Sequence, residues 1–176
     1  MTNIVAVRGD ITRQDVDAVV NAANNRMRGG GGVDGAIHAA GGPQILEECI
    51  ARFPNGLATG QAGFTTAGDM PSQWVIHTVG PNYRAGQTDW TLLTSCYAQS
   101  LQVADELGVK TVAFPLISAG IYGWPKQDAI DAALETISDA PTDVEEVRIV
   151  AFDEGTFRQI QDTRKTAGLH IADRIK

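Results

Sequence analysis

Cysteine is nearly absent from this chain: Cys49 and Cys96 are its 2 cysteines in 176 residues. Two thiols cannot build a four-ligand zinc cluster or a multi-bridge disulfide scaffold, and their spacing matches no metal motif. Both fall in helical patterns, where they read as buried positions. Histidine is as scarce, with His38, His77 and His170 the 3 in the chain and no two of them at metal-ligand spacing. Positive charge is also in deficit, 14 Lys+Arg against 21 Asp+Glu giving a net charge of −7. A partner gripped along a polyphosphate backbone needs many cations, so bulk polyanion binding is excluded, whereas a single small anion is not. No apolar run approaches the ~18 residues of a membrane span and no secretory leader pattern is seen, so a cytoplasmic protein with no membrane partner is expected.

What is present is an ordinary globular balance, 43% hydrophobic and 20% charged residues. At this length one domain is expected over residues 1–176, burying about 70% of the surface of the unfolded chain. Short β-branched runs at 3–7, 17–22, 74–79, 111–116 and 147–152, with a weaker one at 62–67, read as strands. Helical patterns lie between them at 43–52, 92–107 and 128–138, with a last one from Glu154 onward. Leu93, Tyr97, Leu101, Ala104 and Leu107 form one apolar stripe at helical spacing. Strands alternating with helices, several of them unbroken apolar runs, predict an α/β fold, a three-layer α/β/α sandwich around a parallel or mixed sheet.

Glycine is in excess, 19 in all, where the usual abundance gives about 12. The excess concentrates in loops that follow strands, and ligands of open α/β sheets bind beyond the carboxyl ends of strands. Gly9-Asp10-Ile11-Thr12 follows the first strand; its carboxylate serves equally well as a turn former or helix cap. Gly29-Gly30-Gly31-Gly32 leads into a helix that begins near Val33, where free backbone N–H groups and the positive end of the helix dipole make an anion site without lysine. Gly30, Gly32 and Gly35 satisfy G-x-G-x-x-G, but residues 24–29 separate them from the strand and no acidic strand end follows at the dinucleotide spacing, so the Rossmann reading is weak. Asp34 and His38 are four apart and share a helix face, either as a cap with an interior histidine or as a water-polarising pair. His77 closes a strand and is expected to bond to backbone. The loop 115–125 repeats the strand, glycine turn, helix order, with small Ser118, Ala119 and Gly120 allowing close backbone approach. Phe152 at a strand end is either a core residue or a platform for a base.

These residues together resemble the macrodomain family, in its branch of ADP-ribose hydrolases and O-acetyl-ADP-ribose deacetylases. The matching stretches are Gly9-Asp10-Ile11-Thr12, Asp17-Ala18-Val19-Val20-Asn21-Ala22-Ala23-Asn24, residues 29–38, His77-Thr78-Val79-Gly80-Pro81 and residues 114–123. The resemblance implies a central six-stranded mixed sheet and a cleft for ADP-ribose. It places Asp10 at the adenine amino group with the Ile11 backbone beside it, and Phe152 against the adenine ring. Gly32 and Val33 on one side and Ser118, Ala119, Gly120, Ile121 and Tyr122 on the other would clasp the diphosphate. Asn24 would meet the distal ribose, Asp34 would act in hydrolysis and His38 would support it, making Asn24, Asp34 and His38 the catalytic set.

The implied reaction is hydrolysis of an ester at the distal ribose, in O-acetyl-ADP-ribose or in a mono-ADP-ribosylated Asp or Glu of a protein, releasing ADP-ribose. It requires no metal and no cofactor, and a monomer is expected. A non-catalytic ADP-ribose reader is the competing reading, and nucleic-acid-linked ADP-ribose is a third possible substrate. Arg26 and Arg28 depart from the small or apolar residues of relatives and read as solvated surface charge, or as contacts to phosphate or an acidic protein. Ten glycines, at 9, 29, 30, 31, 32, 35, 41, 42, 120 and 123, are expected in or beside the cleft.

Overall fold

The computed structural model describes residues 2–166 and the backbone of residues 167 and 171–175. Its strands are β1 (Asn3–Arg8), β2 (Ala18–Ala23), β3 (Ala62–Thr66), β4 (Trp74–Val79), β5 (Thr111–Phe114), β6 (Glu146–Ala151) and β7 (Ile171–Ile175). They form one sheet in the order β3-β4-β2-β5-β6-β1-β7. The only antiparallel pairing among them is β3 with β4; the rest are parallel. The six strands expected from the sequence are all there as a mixed sheet, and β7 extends it beyond β1 in the stretch after Glu154 where only a helical pattern was expected. His170 lies outside the described residues.

Alternation along the central strands sends side chains to two cores. Ile4, Ala6, Val20, Ile76 and Val147 face α3 (Trp90–Leu107), α4 (Lys126–Asp139) and α5 (Glu154–Ala167), which contribute Leu93, Leu101, Ile130, Leu134 and Phe157. Val5, Val7, Val19 and Val75 face α1 (Gly32–Gly41) and α2 (Pro43–Arg52), which contribute Ile37, Ile45 and Cys49. Burying each such branched side chain contributes about 1.5–3 kcal/mol, and two covered faces are what unbroken apolar strands require. Both cysteines are buried and free, as their helical positions indicated. Among the described residues, no helix is long and apolar enough to cross a membrane.

Boundary differences have local causes. β5 stops at Phe114, short of Leu116, because Pro115 has no N–H for the ladder. α3 starts before Leu92 because Asp89 caps it, accepting from Thr91 N at 2.9 Å and from Thr91 Oγ1 at 2.7 Å. β2 starts after Asp17, whose carboxylate is committed to the amides of Lys110 (2.8 Å) and Thr111 (3.2 Å) at the start of β5.

Candidate active site

The parallel strands end at one edge of the sheet, and their following loops carry the residues singled out above. At β2 the chain turns to the α1/α2 face, while at neighbouring β5 it turns to the α4 face. That divergence opens a crevice at the strand ends, the usual place for a ligand in such sheets. The β1 and β6 ends lie side by side on one flank of the crevice, tied by the bond from Gly9 N to Ala151 O (2.9 Å). Asp10 and Phe152 are therefore neighbours in space although 142 positions apart in the chain.

Phe152 is 89% exposed, which removes the core reading. Asp10 does cap a one-turn helix over Ile11–Arg13: its Oδ1 accepts from Thr12 N (2.9 Å) and Thr12 Oγ1 (2.7 Å). Its Oδ2 stays outward, 3.7 Å from Arg13 Nε. Ile11 is buried and packs in the core cluster that Val33 of α1 borders.

Across the crevice, the loop after β2 is shaped by its glycines. A Cβ on Gly35 would stand 2.6 Å from Gly30 O, so α1 and the loop touch through backbone alone. A Cβ on Gly31 or Gly32 would lie 3.5 Å from Ile121 Cδ1, so the opposing loop reaches over the glycines. In that opposing loop Ser118 holds a left-handed backbone at φ 67°, costly for a non-glycine residue. Its Oγ is buried without a partner against Gly80, itself a position where a Cβ would clash. Ala119, Gly120 and Tyr122 follow on the same loop, and Tyr122 O accepts from Arg84 N (3.1 Å). Burial, then the Asp34 charge, raises the Tyr122 phenol above its ordinary range.

The catalytic candidates meet at Gly30. Asn24 Nδ2 and Asp34 Oδ2 each lie 3.2 Å from the point where a Gly30 Cβ would be. Asn24 is fixed by its own loop, donating from Nδ2 to Gly29 O (3.0 Å) and accepting at Oδ1 from Arg26 N (3.1 Å). Asp34, in the first turn of α1 where the helix dipole favours a carboxylate, is buried with only 4% exposure. Its Oδ1 lies 3.3 Å from His38 Nε2, the helical pairing that the spacing allows. The His38 ring in turn packs under Gly29.

Behind this pair lie two buried polar residues to which the sequence reading gave no role at the site. Asn21 of β2 donates from Nδ2 to Asp34 Oδ1 (2.8 Å) and also approaches His77 Nδ1 (3.1 Å). His77 lies inside β4, directly opposite Asn21 in the parallel register. Its partners are side chains and not backbone, a correction to the expectation: Nε2 lies 2.8 Å from Thr65 Oγ1, which itself donates to Thr66 O (2.9 Å). Burial, helped by nearby His38 and opposed by Asp34, holds the His77 pKa down at about 3. The signal in the sequence was a polar residue within each of two apolar runs, but nothing local said that they face one another.

The His77 shift has a stability consequence. The unfolded chain takes up the proton near pH 6.5 and the folded chain only near pH 3. Stability from this group is complete above about 6.5 and falls with decreasing pH, by about 1.4 kcal/mol per unit, until about 3. Urea unfolding from pH 7 to 4 should show that extra acid slope in the wild type and not in His77→Gln; equal slopes in both would exclude His77 as the group.

The expectation for Arg28 also changes. Its guanidinium donates to the carbonyls of Arg26, Met27, Cys49 and Phe53 through Nη1 and of Pro54 through Nη2, at 3.1–3.4 Å. It thus caps the C-terminal end of α2, favourable for the dipole, and ties the Asn24 loop to that helix. Arg26 stays exposed. Gly41 and Gly42 belong elsewhere too. α1 runs away from the crevice, and Gly41 O accepts from Asp69 N (2.9 Å) just past β3, whose end pairs with the start of β4 at the opposite edge of the sheet.

Comparison with known proteins agrees with this fold. The Macro domain family model matches residues 20–133. A Macro domain-containing protein in the sno 5'region of Streptomyces nogalater is 57% identical over 161 residues, 89% of this chain and 89% of that protein. O-acetyl-ADP-ribose deacetylase 1 of Pantoea vagans is 46% identical over 163 residues, 89% of this chain and 95% of that protein. Among solved structures, a glycine-to-valine variant of the Oceanobacillus iheyensis macrodomain with ADPR superposes with a TM-score of 0.86 at 37% identity, over 92% of this chain and 91% of that one. With a family model spanning more than half of its length and relatives this similar across most of it, the chain belongs to the Macro domain family.

Proposed function

We propose that this protein is an ADP-ribose-binding hydrolase that cleaves esters at the distal ribose, in O-acetyl-ADP-ribose and in mono-ADP-ribosylated Asp or Glu side chains, and releases ADP-ribose. The observation that carries the reading is the convergence of Asn24 Nδ2 and Asp34 Oδ2 on the space over Gly30, at the N-terminus of α1. A buried carboxylate with one oxygen held and the other facing a glycine-lined crevice is suited to a water and not to a structural ion pair. The deacetylase name of the Pantoea vagans relative and the ADPR in the Oceanobacillus iheyensis structure support the same substrate.

In this reading the adenine stacks on Phe152, with its amino group at Asp10 Oδ2 and Ile11 beside it. The diphosphate lies between Gly32-Val33 and the Ser118–Tyr122 loop, held by backbone N–H groups in place of basic side chains. Asn24 holds the distal ribose, and Asp34 orients the water that attacks the ester carbonyl while His38 steadies the carboxylate. The glycine-loop amides offset the charge that develops on the oxygen. Addition of water breaks the acyl–oxygen bond, leaving a carboxylic acid and the ribose hydroxyl.

The test is release of ADP-ribose from acetyl-, aspartyl/glutamyl-, seryl- and nucleic-acid-linked substrates. Turnover of the first two is expected. Tight ADP-ribose binding without turnover of either ester would leave a reader module, and turnover confined to the nucleic-acid arm would move the substrate class. Phe152→Ala should leave stability unchanged, given the exposure of the ring. Loss of a stacking contact of about 1–3 kcal/mol lowers ADP-ribose affinity about 5- to 150-fold. Unchanged affinity by calorimetry would remove Phe152 from the site.

A further inference from the structure

Behind Asp34 three neighbouring strands each place one polar side chain on the same covered face: Asn21 from β2, His77 from β4 and Thr65 from β3. All three are buried, and the surrounding face is apolar. The donor order follows from the Asp34 end. The carboxylate oxygen Asp34 Oδ1 accepts from Asn21 Nδ2, whose second N–H faces His77 Nδ1, so Nδ1 is the bare acceptor. The ring proton then sits on Nε2 and points at Thr65 Oγ1, whose own proton goes to Thr66 O. The opposite amide orientation would set Oδ1 against a carboxylate oxygen. The arrangement leaves Asn21 Oδ1 buried without a partner, so it is not the one that best satisfies Asn21 itself.

We propose that the Thr65–His77–Asn21 series is a positioning relay for the hydrolysis, in which His77 sets the amide of Asn21 and Asn21 holds Asp34 Oδ1 so that Oδ2 faces the crevice. The inference rests on the proposed hydrolase reading. With Oδ1 engaged by Asn21 and by His38, Oδ2 alone remains for the water beside Asn24. The burial that keeps His77 neutral also keeps Nδ1 free to accept. Cys49 Sγ, 3.8 Å from His77 Nε2, lines the same pocket but adds no strong donor.

Kinetics and ring-nitrogen NMR on four variants test the relay. His77→Leu fills the site without an acceptor and should lower kcat at least about tenfold; Asn21→Leu, which is close in shape and has no donor toward Asp34, should lower it about a hundredfold, the scale of a misplaced reacting group. ADP-ribose Kd should stay within about threefold in both, since the lost contact is not to the nucleotide. His77→Gln offers a carbonyl to Asn21 and an N–H to Thr65, and should restore kcat to within about threefold of wild type. The wild-type ring should carry its proton on Nε2, and Thr65→Val, also of unchanged shape, should move it to Nδ1 with a drop in kcat. This second readout stands even where His77→Leu fails to fold. An active wild type whose His77→Leu and Asn21→Leu variants keep full kcat overturns the relay, as does a wild-type proton on Nδ1 or a His77→Gln variant as slow as His77→Leu. A wild type that turns over none of the substrates is a different result: it overturns the hydrolase reading, and the relay with it.

Discussion

Asp34→Asn is expected to lower turnover of an ADP-ribose ester by about 10²–10⁴-fold, the range supplied by a positioned general base, while ADP-ribose affinity stays within about threefold. The substitution keeps the shape of the side chain and an oxygen for the Asn21 N–H at Oδ1, but removes the charge that polarises a water. Asp34→Ala should lose as much activity, and it removes the Asn21 and His38 contacts too. Neither variant touches the Phe152 flank or the Ser118–Tyr122 loop, so the nucleotide keeps those contacts. Single-turnover rates set against calorimetric Kd values separate the two effects. Full activity in Asp34→Asn would show that the carboxylate charge plays no part in the reaction.

The second large effect is on stability. Arg148 of β6 is 5% exposed and donates from Nε to Glu146 Oε2 (2.9 Å), and from Nη1 to Asp15 Oδ1 (2.7 Å) and Gln14 Oε1 (3.1 Å). Gln14 is itself buried, and passes the constraint on by donating from Nε2 to Asp10 O (3.0 Å). Arg148→Ala removes the cation that Glu146 and Asp15 share and takes from the buried Gln14 Oε1 its Arg148 donor; losing the charged hydrogen bonds and that buried contact costs about 3 kcal/mol. For a chain of this size that corresponds to roughly 6–12 °C in Tm. Because the same change frees the Asp10 turn, ADP-ribose affinity should fall several-fold in the folded fraction. A Tm within 2 °C of wild type, a limit set at about 0.5–1 kcal/mol, would mean that the three partners are satisfied by water once the arginine is gone.

Much of the architecture was legible because the signals were local. Apolar runs of strand length, the α3 stripe from Leu93 to Leu107 and the glycine turns each depend on residues a few positions apart, and all correspond to observed elements. The i,i+4 spacing of Asp34 and His38 was sufficient for their contact, since a helix fixes it. Caps and breakers were less visible: Asp89 and Pro115 moved two boundaries through single side chains. β7 was missed because a strand of five residues in a polar context declares itself only by pairing with β1.

The chain by itself determined the class of fold, the family resemblance and the loops that carry chemistry, since those follow from periodicity, glycine placement and ordered motifs. Tertiary structure decided what each polar residue does. Register placed Asn21 opposite His77, sheet order brought Phe152 beside Asp10, and helix direction took Gly41 and Gly42 to the far edge. It also turned Arg28 from a surface charge into the cap of α2. The physical reason is the same throughout: hydrogen bonds between residues distant in sequence depend on strand register and on which face is covered, and neither quantity is present in any local window of the chain.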